Sequence, residues 1–128
     1  MGDGLWDLFP DGPRFGGATA NYACHASILG GEVFMVSGVG KDDRGQSLLK
    51  VYQKHGVNTD LIQEVNDFPT GIVTVELREK GLPTFTIGEN AAWDNWVWNE
   101  EIEQKVESAD ALYFGTLGQR GQSARNGI

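Results

Sequence analysis

Gly16-Gly17-Ala18-Thr19-Ala20-Asn21-Tyr22-Ala23 is the stretch on which the reading of the fold turns. A glycine pair lets the backbone turn tightly, and the alanine-rich run behind it, extending to about Leu29, has the composition of a helix. Its small residues Ala20, Ala23 and Ala26 permit close approach to a sheet. Upstream, Leu5 to Pro10 reads as a short strand, broken by the turn chemistry of Pro10-Asp11-Gly12-Pro13. Downstream, Gly30-Gly31 ends the helix and Glu32 to Ser37 reads as an apolar strand. Asp43 to His55 then places Leu48, Leu49 and Tyr52 on one helical face. The sum is a βαβα pattern, which predicts an α/β fold with a right-handed crossover and a parallel sheet.

From Leu61 to Gly88 the pattern changes. Ile72, Val73, Val75 and Leu77, followed by Phe85 and Ile87, form two β-rich runs separated by Glu79-Lys80-Gly81, and predict a hairpin. Asn99 is placed to cap a helix carrying Ile102 and Val106, with Glu100, Glu101 and Glu103 near its positive end. Ala111 to Gly115 reads as a further buried strand, and the polar, glycine-rich residues Gly118 to Ile128 as a frayed end. No repeat or low-complexity segment interrupts the chain.

Composition narrows the function classes. With 128 residues, 40% of them hydrophobic, the chain fits one domain with a packed core. Ten Lys and Arg against 18 Asp and Glu give a net charge of -8, which repels nucleic-acid phosphates and anionic lipid alike, so neither nucleic acid nor a membrane is an expected partner. The single cysteine, Cys24, cannot form an internal disulfide, and a reducing cytoplasmic location is expected. No apolar run approaches the roughly 20 residues of a spanning helix, and no signal peptide is evident at Met1.

The glycine-pair stretch is followed by Leu29-Gly30 and by Val39-Gly40-Lys41-Asp42-Asp43-Arg44-Gly45. Gly17, Asn21, Ala23, Gly30 and Gly40 stand at the offsets of the first signature of ribokinase-like carbohydrate kinases, the PfkB type, which the chain resembles. The similarity runs on through Leu5-Trp6-Asp7-Leu8-Phe9, Pro69-Thr70-Gly71, Ala92-Trp93-Asp94 and Phe114-Gly115-Thr116-Leu117. Thr19 departs from it, standing where the family usually carries Gly or Pro. Ala18, where ribose kinases typically carry lysine, brings the wording closest to the fructokinase branch.

The resemblance implies a partial Rossmann-like ribokinase fold, residues 1–128 forming its amino-terminal part, with lid strands near 5–16 and 70–88. It implies ATP-dependent phosphorylation of a sugar hydroxyl by the parent family, with Asp7, Gly16, Gly17, Asn21 and Arg120 as the substrate-binding residues. The residue chemistry agrees: glycines admit a polyhydroxylated ring close to the backbone, Asn21 both donates and accepts, and Asp7 accepts from hydroxyls. ATP and Mg²⁺ belong to the full-length family and are not expected to bind well to this chain alone. The family's later Asp-Thr-x-Gly-Ala-Gly-Asp-like motif, which supplies the catalytic base and anion hole, does not occur here, so no catalytic residue is assigned. Met1-Gly2-Asp3-Gly4 leaves little room for the family's first core strand, and both boundaries read as trimmed. Self-association through the lid or a truncated sheet edge is expected. The alternative is a non-catalytic sugar-binding or dimerisation module.

Other signals are weaker. Gly38 to Gly45 has the wrong glycine spacing for a dinucleotide loop, and Gly40-Lys41 is followed by Asp42 rather than the Ser or Thr of a P-loop. Asp42 or Asp43 reads as a helix N-cap. His25, His55 and Cys24 do not make a metal-ligand spacing. Trp93, Trp96 and Trp98 invite sugar stacking, but packing is the simpler reading.

Overall fold

The computed structural model of the chain describes residues 1–77 and 82–127. Two sheets share the work. The core unit is strand β3 (Ser37–Gly40), helix α2 (Asp43–Lys54) and strand β4 (Ile62–Val65), with β3 and β4 parallel and Ser37 opposite Ile62. Helix α1 (Ala18–Ile28) precedes this unit. A four-stranded sheet stands beside it, in the order β2 (Gly12–Gly16), β1 (Leu5–Phe9), β5 (Gly71–Leu77), β6 (Pro83–Ile87). Its β1–β2 and β5–β6 pairs are antiparallel, joined by a parallel β1–β5 contact.

The local reasons are legible. α2 starts at Asp42, whose extended backbone and carboxylate, accepting from the Gly45 amide at 2.7 Å, satisfy an orphan donor of the first turn. Asp43 in the first turn and Lys54 in the last suit the helix dipole. Leu48 and Tyr52, four residues apart on one face, are both fully buried, and each contributes roughly 1.5–3 kcal/mol by removal from water. They pack with Ala20, Ala23 and Cys24 of α1 and with Met35, Val39 and Val57. Helix α3 (Glu100–Glu107) begins as expected at Asn99, whose side chain accepts from the Ile102 amide at 2.9 Å. Ile102 joins Trp96, Val36, Leu61 and Ala124 in a second core cluster.

Several expectations are corrected. Leu5–Phe9 is a strand, but it belongs to the four-stranded sheet and does not pair with β3; the parallel partner of β3 is β4, a strand that alternation alone did not reveal in so short and mixed a segment. Glu32 to Ser37 is not a continuous strand. Its backbone bonds are split between two neighbours: Met35 N–H donates to Asn58 at 3.1 Å, whereas the Val36 carbonyl accepts from Gly2 at 3.0 Å. The regular ladder begins only at Ser37. Ala111 to Gly115 is neither buried nor a strand, with Leu112, Tyr113 and Phe114 exposed and Gly115 donating only a long 3.4 Å bond to Met1. Met1 to Gly4 nevertheless runs between this segment and Val36, with the Ser37 hydroxyl donating to the Gly2 carbonyl at 2.7 Å. The tail is not frayed up to residue 127: helix α4 (Gln122–Gly127) buries Ala124 fully. The turn expected at Glu79-Lys80-Gly81 lies outside the described residues.

Candidate functional site

The glycine pair sits where the four-stranded sheet hands the chain to the core. Gly16 closes β2 opposite Leu5, and Gly17, at φ +104°, opens α1. A side chain is excluded at both. A Cβ on Gly16 would collide with the Asp7 carboxylate, and one on Gly17 would stand 2.5 Å from the Asp3 carbonyl oxygen. Asp7 and Gly16 are therefore in direct van der Waals apposition.

Asp7 lies on the sheet face that also carries Val73 and Ile87, because alternate residues of paired strands share a face. Arg14 is its cross-strand partner in register, yet the Arg14 guanidinium turns to Asp11 at 2.8 Å and lies 4.1 Å over the Phe9 ring. Among the described residues Asp7 makes no hydrogen bond or ion pair. Burial without a compensating donor raises its pKa above the ordinary carboxylate value. A half-buried acceptor with unused capacity is what a hydroxylated ligand would complete. Asn21 is exposed in the first turns of α1, its amide nitrogen bonded to the Gly17 carbonyl at 3.0 Å and its side chain without a protein partner among the described residues.

Arg120 stands apart from that group. Its Nε and Nη2 donate to the two oxygens of Asp94 at 2.8 and 2.7 Å, Nη2 also donates to the Gly88 carbonyl, and the guanidinium lies 4.3 Å over the Trp93 ring. Nη1 has no partner among the described residues. The structure thus brings Asp7, Gly16 and Gly17 together, places Asn21 on the adjoining helix, and engages Arg120 elsewhere.

Three buried polar residues escaped the sequence reading. Asp3 is 2% exposed and caps α1 from a distance, accepting from the Ala18 amide at 2.6 Å, while the Thr19 hydroxyl donates to its carbonyl at 2.7 Å. This explains the Thr19 departure, since the hydroxyl has a specific acceptor. Thr70 donates through N–H (2.9 Å) and hydroxyl (2.7 Å) to the Asp42 carboxylate and accepts from the Gly40 amide at 2.9 Å. Burial works against the Asp42 anion, but the bonds from Thr70 and Gly45, with Arg44 nearby, outweigh it and hold its pKa below the usual range. Asp94 is the third, 5% exposed. Thr70 and Asp94 stood in stretches with a visible signal, Pro69-Thr70-Gly71 and Ala92-Trp93-Asp94, but neither was singled out within them. Trp93 and Trp96 are packed inside, 1% and 0% exposed, which settles them as core.

The amino ends of α1 and α2 already face carboxylates, those of Asp3 and Asp42, which would repel a phosphate. Among the described residues no group of three or more His, Cys, Asp or Glu converges on a metal position. None of their helices is long and apolar enough to cross a membrane.

The architecture is a parallel β3–α2–β4 unit with a small sheet at its flank, and the Asp7 carboxylate of that sheet lies against Gly16. The model of the pfkB family of carbohydrate kinases matches residues 12–126, and the chain belongs to that family. It is similar to the aminoimidazole riboside kinase of Salmonella typhimurium, 28% identical over 130 residues that cover 98% of this chain and 40% of that enzyme. The crystal structure of an uncharacterized sugar kinase from Pyrococcus horikoshii in complex with ATP matches at TM-score 0.85 and 30% identity, covering 98% of this chain and 45% of that one. Fructokinase from Vibrio cholerae O395 matches at TM-score 0.66 and 29% identity over 72% of this chain and 34% of the other. The fold is accordingly the mixed α/β ribokinase fold. The chain spans less than half the length of these relatives.

Proposed function

We propose that residues 1–128 are the sugar-binding amino-terminal part of an ATP-dependent kinase that phosphorylates a sugar hydroxyl, with the four-stranded sheet as the lid over the sugar. The observation that carries this reading is the unpaired Asp7 carboxylate against the side-chain-free Gly16. Asp7 accepts a hydroxyl proton, Gly16 and Gly17 give the ring access to backbone, and Asn21 reads a further hydroxyl. Arg120 offers its remaining Nη1 donor to the substrate. Lid closure excludes water, whose attack on ATP would compete with transfer to the sugar.

ATP, Mg²⁺ and the proton-abstracting base belong, on this reading, to residues other than these 128. Phosphoryl transfer needs a carboxylate within reach of the attacking hydroxyl and N–H donors around the transferred group, and the carboxylates at the α1 and α2 termini serve as caps instead. The acidic charge and the buried lone Cys24 suit a cytoplasmic, ATP-supplied setting.

The test is calorimetric titration of the chain with fructose, ribose and 2-keto-3-deoxygluconate, alongside a coupled ADP-release assay. Binding of one sugar without ADP release is expected. Absence of binding to all three by a folded chain rejects the sugar site, and sugar-dependent turnover rejects the division of labour.

The same reading includes self-association. Leu77, Phe85 and Ile87 are 56%, 55% and 38% exposed on the Asp7 face of the sheet, and β6 is an edge strand. Sedimentation over a concentration series should show a dimer or larger species; a monomer throughout the micromolar range overturns this part.

A further inference from the structure

Two chain segments, Thr70–Gly71 and Gly88 onward, carry the β5–β6 hairpin into the core, and one side chain reaches the neighbourhood of both. The Gly88 amide donates to the Ile72 carbonyl at 2.9 Å, so Gly88 is the last residue tied to the hairpin ladder. Its carbonyl accepts from Arg120 Nη2 at 2.5 Å. The same guanidinium grips Asp94, a nearly buried carboxylate whose Oδ2 also accepts from the Ala91 amide at 3.2 Å. It covers the ring of Trp93, and that indole fills the space a Cβ on Gly71 would need. Trp93 therefore presses on the entry of β5 while Arg120 holds the exit of β6.

We propose that Arg120 is the positioning residue that fixes the β5–β6 hairpin to the core, acting through Asp94, Trp93 and the Gly88 carbonyl as one joint. The geometry demands arginine. A planar fork can serve the two Asp94 oxygens and a carbonyl while its face lies on an indole; a lysine ammonium is a point donor that cannot do all of these at once. The neighbouring Gly121 is needed because a Cβ there would strike the Asp94 carbonyl oxygen, so the loop carrying Arg120 is seated against the same short turn, Ala92–Asp94. The joint does not require a sugar. On the kinase reading above, it sets how the sheet bearing Asp7 stands relative to α1.

Native-state amide hydrogen exchange of the whole chain tests it. Arg120→Lys keeps a positive charge beside Asp94, and should speed exchange of Gly88 and the β5–β6 amides about tenfold while leaving β3, β4 and α2 within about twofold, the signature of a local opening. Equal acceleration in β3, β4 and α2 would mean that Arg120 only contributes to global stability, and no acceleration in β5–β6 would mean that the joint carries no load; either overturns the proposal. Should the lysine variant fail to fold, the double variant Arg120→Met with Asp94→Asn removes the buried charge together with its partner. The same hairpin-confined pattern is expected from it, and a uniform or absent response sinks the proposal equally.

Discussion

Asp7 and Asp42 are both carboxylates one strand or turn away from a glycine, and they stand in opposite environments. Asp42, in the core unit, receives Gly45 N–H and both donors of Thr70, and its charge is stabilised. Asp7, on the flanking sheet, receives nothing from the described residues, and burial works against its charge. Backbone donors hold Asp42 as a structural anion, and on the proposed reading the carboxylate left without them, Asp7, is the one a sugar hydroxyl completes. The regions that carry them differ in the same sense. Every residue of β3 is buried, whereas the flanking sheet leaves Leu77, Phe85 and Ile87 partly in water.

The largest expected effect tests the structural half. Asp42→Ala removes the α2 cap and leaves the Thr70 and Gly45 donors without their acceptor, at a cost of about 3 kcal/mol in stability. Chemical denaturation would register it, and a loss below about 0.5 kcal/mol would place Asp42 among ordinary surface residues.

The ligand half comes next. In a full-length kinase carrying this amino-terminal sequence, Asp7→Ala should weaken sugar binding by roughly 1.5–3 kcal/mol, about tenfold to a hundredfold, without lowering the melting temperature. Asn21→Ala should act in the same direction by roughly 0.5–1.5 kcal/mol, since its bonds are neutral. ATP affinity should stay near that of the parent in both. A folded Asp7→Ala protein that binds sugar as the parent does would return Gly16-Gly17 to the status of a structural turn.

A smaller effect of opposite sign probes the core itself. The Tyr52 hydroxyl is buried without a hydrogen-bond partner among the described residues, and burial, with the charges of Cys24 and Asp3 adding to it, pushes its pKa up. Tyr52→Phe deletes an unsatisfied polar atom and should raise stability by about 1 kcal/mol. A clear destabilisation on urea titration would show that the hydroxyl has a partner after all.

The smallest effects are in pH dependence, where the two carboxylates should separate by sign. Asp42 titrates lower in the folded chain than in the unfolded one, so its contribution is present above about pH 4 and is lost as pH falls through the lower folded value. Asp7 titrates higher when folded, so the stability that its proton confers is present below about pH 4 and fades as pH rises through the raised value. Stability profiles of Asp42→Asn and Asp7→Asn against the parent should therefore flatten on opposite sides of that point. Flattening on the same side would break the comparison.

The turn at Gly16-Gly17 into a helix and the short strand that carries Asp7 could be read from the sequence because they depend on local order. A glycine pair before a helix and a carboxylate on a short strand announce themselves by type and spacing, and so do the Asp42 and Asn99 caps, which act within three residues. The helix Asp43–Lys54 was legible for the same reason, its apolar residues repeating on one face. What lay hidden was every relation across the chain. Asp3 caps a helix fifteen residues away, Thr70 reaches Asp42 over twenty-eight, and Arg120 reaches Asp94 over twenty-six. No periodicity records such pairs, because each is fixed only when separate elements pack. The choice of β4 as the partner of β3 and the loss of a regular ladder at Glu32 to Val36 were decided in the same way. A strand's side-chain pattern states that one face will be buried; which neighbour supplies the hydrogen bonds is settled by tertiary packing, where backbone donors find their acceptors.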